Sequence, residues 1–140
     1  MADYFEAGGD IETTNRMEHT PFILSTYYGH TEAAAGLLQL GANPCAVDRM
    51  GSHAMMGVVF KGHLDTFEWI LESTDCDVNH QNHAGQTALM LAALFDRKQF
   101  VEMLLDRGAD PTIRDYQGNS AASLATGQGA IELAEMLSNY

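Results

Sequence analysis

The sequence has few basic residues and no motif that suggests nucleic acid as a partner. Only 7 of its 140 residues are Lys or Arg, against 19 Asp and Glu, which gives a formal net charge of −12. A nucleic-acid-binding surface needs clustered Lys and Arg to meet the phosphate backbone. We therefore expect no binding to nucleic acid, and the same shortage disfavours an anionic membrane surface.

Long apolar segments are also lacking. No stretch reaches the ~20 consecutive apolar residues that a membrane-spanning helix requires. The first seven residues, MADYFEA, contain neither a basic segment nor an apolar run of signal-peptide length. The sequence therefore predicts no membrane segment and a cytoplasmic location.

Catalytic motifs are missing as well. The serines have no Gly-x-Ser-x-Gly context, and no glycine-rich stretch has the pattern of a phosphate-binding loop. We expect no catalytic residue, no cofactor and no enzyme activity.

The sequence does contain a repeated unit of about 33 residues, seen most clearly over residues 85–115. An apolar segment around Leu89 and Leu91 predicts a first helix. The spacing of Phe100, Val101 and Leu104 is that of a second helix with one buried face. Equivalent glycines and capping residues recur along the chain: Gly51, Gly85 and Gly118, and Thr20, His53, Thr87 and Ser120.

The period and several short motifs resemble the ankyrin repeat family. The motifs are Thr20-Pro21, Gly29-His30, Gly62-His63 and Gly108-Ala109-Asp110. The resemblance implies an all-α fold, a solenoid of stacked helix-turn-helix units joined by β-turn loops. One departure is that the histidine ending the family's Thr-Pro-Leu-His motif is replaced in every repeat, by Ile23, Met56, Met90 and Ser123. We therefore expect the polar link between neighbouring turns to be missing.

A single repeat domain over residues 1–140 is predicted, with helices confined to windows 20–40, 53–73, 87–107 and 120–138. Its parts are a partial repeat (1–17), repeats at 18–50, 51–84 and 85–117, and a C-terminal capping repeat (118–140). The partial repeat can cover the next one only incompletely. We therefore expect Phe22, Leu24 and Leu37 to be partly uncovered, which would favour self-association through this N-terminal edge.

The two cysteines, Cys45 and Cys76, fall at different positions of different repeats. We therefore expect buried or half-buried free thiols rather than a disulfide or a zinc site. His80 and His83 lie close together in the sequence, but no Cys, Asp or Glu recurs at ligand spacing. No metal site is predicted.

The resemblance implies that the chain is a non-enzymatic protein-binding module, an adaptor or inhibitor. In the family, the ends of the first helices and the turn tips point to the concave side. Here the helix ends include Tyr27, Tyr28, Phe60, Lys61, Leu94 and Phe95, and the turn tips include Arg49, Met50, His83 and Tyr116. Aromatic residues, Met and Arg are enriched at the centres of protein interfaces. We therefore predict that these residues bind a partner protein.

Two alternatives remain open from the sequence. The aromatic residues could instead pack inward as ordinary core. The chain could also be a structural or regulatory repeat segment of a larger assembly or homo-oligomer, docking through its N-terminal end.

If the aromatic face does bind, the scattered positive charges on it favour an apolar partner segment with a few carboxylates. Leu71 with Asp77-Val78-Asn79 also resembles the spacing at which asparagine hydroxylases modify ankyrin repeats.

Overall fold

The computed structural model describes residues 12–140, which contain eight α-helices and no β-strand. All eight helices lie inside the four predicted windows, so the predicted all-α fold is confirmed. The predicted partial repeat over residues 1–17 lies mostly outside the described residues. The helices are α1 (Pro21–Tyr27), α2 (Thr31–Gln39), α3 (Ala54–Lys61), α4 (Leu64–Ser73), α5 (Ala88–Leu94), α6 (Lys98–Asp106), α7 (Ala121–Gly127) and α8 (Ile131–Ser138).

The helices belong to two compact units, one ending at Cys76 and the other running from Asp77 to Tyr140. In the first unit, α1 packs against α2 and α3, and α3 packs against α4. In the second unit, α5 packs against α6 and α7, and α7 packs against α8. Within each unit, the first helix of one pair therefore packs against its own partner helix and against the first helix of the next pair.

The core of each unit follows from this arrangement. In the first unit the fully buried side chains include Met55, Met56, Phe67 and Ile70, and in the second unit Leu89, Met90, Val101 and Leu104. Burying a side chain of this size contributes about 1.5–3 kcal/mol.

Side-chain caps start three of the four first helices. The hydroxyl oxygens of Thr20, Thr87 and Ser120 accept hydrogen bonds from the backbone N–H groups three residues later. Such a cap satisfies one of the donors left open at a helix N-terminus. His53 occupies the equivalent position before α3 but makes no side-chain cap bond. The four capping positions were therefore predicted correctly. A side-chain cap forms only where that position holds Thr or Ser.

Each turn tip is organised by one Asn or Asp side chain, at Asn15, Asp48, Asn82 and Asp115. In every case Oδ1 accepts from the backbone N–H groups two and four residues later, at 2.8–3.1 Å. These side chains hold the turns in the same way that a backbone carbonyl would. They recur with the repeat and fix the tips that carry Arg49, Met50, His83 and Tyr116.

Within each unit, neighbouring turns are linked, contrary to the expectation drawn from the missing histidines. The Arg49 N–H donates to the Met17 carbonyl at 2.8 Å, and the Tyr116 N–H donates to the Ala84 carbonyl at 3.1 Å. Gln81 Nε2 adds bonds to the carbonyls of Gly85 and Arg114. The prediction was wrong because backbone groups make the link, and these are present whatever side chain replaces the histidine.

The N-terminal edge is better covered than predicted. Phe22 and Leu37 are only 1% and 2% exposed, and only Leu24 is half-buried. The Phe22 ring lies 6.1 Å from the ring of Trp69 on α4, centroid to centroid. The expectation that Phe22 and Leu37 are uncovered was therefore wrong.

Cys45 and Cys76 form a disulfide, with an Sγ–Sγ distance of 2.02 Å and a Cα–Cα distance of 5.4 Å. The prediction of two free thiols was wrong. Two hydrogen bonds span the same separation of 31 residues, from Asn43 N–H to Glu12 and from Asp110 N–H to Asn79. Loops of consecutive repeats therefore lie side by side at this separation, and two cysteines can meet there without occupying equivalent repeat positions.

The tip of the second unit depends on a glycine. Gly85 has φ +77°, and a Cβ there would lie 2.7 Å from Tyr116 Cδ1 and 2.8 Å from the Tyr116 backbone nitrogen. Gly118, the equivalent glycine one repeat later, has φ +87° but no atom within 4 Å of such a Cβ.

We expect Gly85→Ala to lower the free energy of unfolding by clearly more than Gly118→Ala. Both substitutions bear the strain of a left-handed backbone, about 1–2 kcal/mol. Only the first also forces the Tyr116 backbone away. Urea unfolding of both variants measures the difference. Equal losses of stability would show that Tyr116 moves aside freely.

We also expect reduction of the disulfide to destabilise the protein. A disulfide that closes a loop of this length contributes about 3–4 kcal/mol in the chain-entropy model. Thermal unfolding with and without a reducing agent measures the effect. The double variant Cys45→Ser with Cys76→Ser is the control, because its melting temperature should not respond to the reductant. An unchanged melting temperature of the wild type on full reduction would contradict the prediction.

Candidate partner-binding site

Three aromatic side chains from α1 and α3 meet on the surface of the first unit. We call Tyr27, Tyr28 and Phe60 the aromatic cluster. The Tyr27 and Phe60 rings are nearly parallel, with centroids 6.3 Å apart. The Tyr28 ring is perpendicular to that of Tyr27 at a centroid distance of 5.3 Å. Both spacings are typical of favourable aromatic pairs, so the rings hold one another in defined positions.

The cluster is formed where two first helices end. Tyr27 is the last residue of α1 and Tyr28 its C-cap, while Phe60 and Lys61 are the last two residues of α3. Because α1 packs against α3, these helix ends come together although Tyr27 and Phe60 are 33 residues apart in the sequence. The predicted residues Tyr27, Tyr28, Phe60 and Lys61 are therefore adjacent in space.

Gly57 makes room for the cluster. A Cβ at this position would lie 3.3 Å from Cδ2 of Tyr27, tighter than ordinary van der Waals contact. Glycine inside a helix costs about 1 kcal/mol relative to alanine. In α3 this unfavourable residue leaves space for the tyrosine ring.

The ammonium group of Lys61 completes the cluster. Its Nζ lies 5.2 Å from the centroid of Tyr27 and 5.8 Å from that of Tyr28. Both distances are within the range of cation–π attraction. Lys61 was predicted from the sequence to be one of the helix-end residues of this face. The sequence did not indicate that two rings already hold its ammonium group.

His19 connects the cluster to the neighbouring turn. Its ring stacks on Tyr27 with a centroid distance of 6.4 Å, and its Nε2 lies 3.3 Å from Oδ2 of Asp48. Asp48 is the residue that holds the turn carrying Arg49 and Met50. His19 was not among the predicted site residues, although its place in a turn tip next to the capping Thr20 could have indicated it. His30 lies on the other side, 6.5 Å from the Tyr28 ring.

The exposure of the cluster bears on whether it is core or surface. Tyr28 is 56% exposed and Phe60 49% exposed, whereas Tyr27 is half-buried among its neighbours. Core aromatic residues of the same unit, such as Phe67, are fully buried. Two of the three rings are thus about half exposed to solvent, and Tyr27 contacts both of them.

The remaining predicted residues have different surroundings. Arg49 and Met50 are exposed at a turn tip of the first unit. In the second unit, Leu94 is half-buried at the end of α5, Phe95 is 38% exposed at its C-cap, and His83 and Tyr116 are exposed at turn tips. The structure therefore places every predicted residue of the site at least partly at the surface, and within the first unit it brings Tyr27, Tyr28, Phe60 and Lys61 together in one cluster.

Within residues 12–140 no three His, Cys, Asp or Glu side chains are grouped so that they could hold a metal ion. No helix in this part of the chain is both long and apolar enough to cross a bilayer.

The chain matches a family model of ankyrin repeats, described as "Ankyrin repeats (3 copies)", over residues 2–82 and again over 54–140. The chain belongs to the ankyrin repeat family. The resemblance found in the sequence is therefore confirmed. Ankyrin repeats are in general non-catalytic modules of protein–protein interaction, which is the class expected for this chain.

Several curated proteins are similar to this ankyrin repeat chain. The putative ankyrin repeat protein YahD of Escherichia coli (strain K12) is 30% identical over 140 residues, covering 94% of this chain and 68% of YahD. Human SH3 and multiple ankyrin repeat domains protein 2 is 31% identical over 104 residues, covering 74% of this chain. Human neurogenic locus notch homolog protein 1 is 26% identical over 138 residues. The match spans only 6% and 5% of those two human proteins.

A stability experiment separates surface from core at this site. We expect Phe60→Ala to lower the free energy of unfolding by less than about 1 kcal/mol, because the half-exposed ring leaves no closed cavity. Phe67→Ala, in the adjacent helix and fully buried, should cost about 3–5 kcal/mol. Urea unfolding measures both. Similar losses for the two variants would show that Phe60 acts as core.

Proposed function

We propose that this chain is a non-catalytic adaptor or inhibitor that binds a partner protein through the aromatic cluster. The observation that supports this most is the pair of exposed rings, Tyr28 and Phe60, held in place by Tyr27 and Lys61. The turn tips with Arg49 and Met50 flank the site on the first unit. On the second unit, Leu94, Phe95, His83 and Tyr116 are proposed as further partner-binding residues.

Preorganised aromatic residues suit this role for two physical reasons. Tyr and Phe bring a large contact area while fixing only two side-chain torsions, so ordering them on binding costs little entropy. Their positions are already defined by stacking in the free protein, which lowers that cost further. Aromatic anchors at the centre of an interface commonly contribute 2 kcal/mol or more to binding.

The charges around the site favour an apolar partner segment with a few carboxylates. Arg49 is exposed and available to such a group. Arg114, in the second unit, is less available to a carboxylate, because its Nη1 donates to the carbonyl of Gly118 in its own turn at 2.8 Å.

Docking through the N-terminal edge has less support than the aromatic site. That alternative depended on an apolar surface around Phe22 and Leu37, and both side chains are buried. Self-association through this edge therefore lacks the exposed apolar surface on which it depended. The alternative role as a segment of a larger assembly depended on the same surface.

The location of the protein is a separate proposal. The sequence led us to expect the cytoplasm, where thiols are normally kept reduced. A disulfide such as Cys45–Cys76 is more typical of an oxidising compartment. Trapping free thiols by alkylation in intact cells, followed by mass analysis of the two cysteines, would decide between these environments.

A binding experiment tests the function. Partners captured from an extract of the native cells by the wild-type protein are identified first, and their affinities are then measured with purified components. We expect Phe60→Ala and Tyr28→Ala each to weaken binding by about 2 kcal/mol, roughly 30-fold in Kd. Glu68→Ala, on the exposed side of α4, should leave the affinity unchanged.

Two results would speak against the aromatic site. One is a partner that binds the wild type and both variants with the same Kd. The other is a variant whose weaker binding is accompanied by an equal loss of folding stability, since the ring would then act on the fold rather than on the partner.

A further inference from the structure

Tyr27, Tyr28 and Lys61 form a small cation site that is occupied by the chain's own ammonium group. The two rings are at 88° to each other with centroids 5.3 Å apart, and Lys61 Nζ lies within 6 Å of both centroids. Two electron-rich faces therefore converge on one positive charge. This arrangement attracts cations more strongly than a single ring does.

The bound ammonium is only weakly held. Lys61 is exposed, and among residues 12–140 it takes part in no ion pair, unlike Lys98, whose Nζ lies 3.3 Å from Glu132. A cation–π contact at an exposed position contributes little. The lysine side chain is also long and flexible, so it loses little when it turns away into water.

We infer that this cation site receives an Arg or Lys side chain of the partner protein in exchange for Lys61. The inference rests on the proposed function and specifies the chemistry at its centre. The partner segment then carries one cationic side chain beside its apolar groups and its few carboxylates. Arg suits the site best because its planar, weakly hydrated guanidinium group stacks on aromatic faces.

The charge of the whole chain supports this choice of ligand. With a formal net charge of −12, the protein attracts a cationic group from a distance, which raises the rate of encounter. Lys61 Nζ is a positive charge that already lies on both rings, so it opposes the exchange. Lys61 therefore competes with the partner's cation for the two rings, and this competition weakens the binding of the partner.

The site can be tested with a small probe and without the partner. N-acetyl-arginine methylamide is titrated into the protein while the ring protons of Tyr27 and Tyr28 are followed by NMR, at constant ionic strength. The citrulline analogue serves as a neutral probe of the same shape. We expect the arginine probe to shift the ring signals of both tyrosines and the citrulline probe to do so much less.

Removing the competitor should strengthen binding. In Lys61→Gln the arginine probe should bind about two- to fivefold more tightly than in the wild type, the range that corresponds to an exposed cation–π contact. Lys98→Gln removes the same charge elsewhere and should leave the affinity as it is. Adding Tyr28→Leu to Lys61→Gln should abolish the gain, because leucine keeps apolar area but has no ring face.

Three outcomes would overturn the inference: equal binding of the two probes, no gain from Lys61→Gln beyond that of Lys98→Gln, or a gain that survives Tyr28→Leu. None of them would affect the proposed function, which is judged by the loss of partner binding in Phe60→Ala. Conversely, a partner indifferent to Phe60 would count against the proposed function even if the cation site binds the arginine probe.

Discussion

The structure depends on one constraint: a pair of short helices cannot bury its apolar face alone. The helices here have seven to ten residues, too few to be stable in isolation. Within each unit, stability comes from packing one first helix against the next, as α1 does with α3 and α5 with α7. The repeat period, the regular turns and the position of the aromatic cluster all follow from this contact.

The same contact creates the candidate site. Because α1 and α3 pack side by side, their C-terminal ends present Tyr27, Tyr28, Phe60 and Lys61 together. The packing requires a close approach, and Gly57 provides it at the point where the Tyr27 ring crosses α3. Gly57 weakens α3, but it leaves space for Tyr27 of the neighbouring helix α1. Alanine at this position would crowd the Tyr27 ring, which contacts the exposed rings of Tyr28 and Phe60.

Much of this could be predicted from the sequence. Apolar residues at helical spacing and a period of about 33 gave the helix windows, because burial against a neighbour imposes the same pattern on every repeat. The helix-end residues were placed correctly for the same reason. The Asn and Asp residues that hold the turns were overlooked, although their spacing of 33, 34 and 33 residues carries the same signal as the glycines.

What could not be predicted depends on contacts between repeats that the sequence does not encode as a local pattern. The Cys45–Cys76 disulfide requires two loops to lie side by side with a particular offset, and comparing repeat positions alone hides that offset. The links between turns are made by backbone groups, so no residue type reports them. The contact of Lys61 with both tyrosines depends on where a flexible side chain turns. That contact changes the meaning of the positive charge on this face: a lysine that sequence reasoning assigns to a partner's carboxylate instead marks the position where a partner's cation fits.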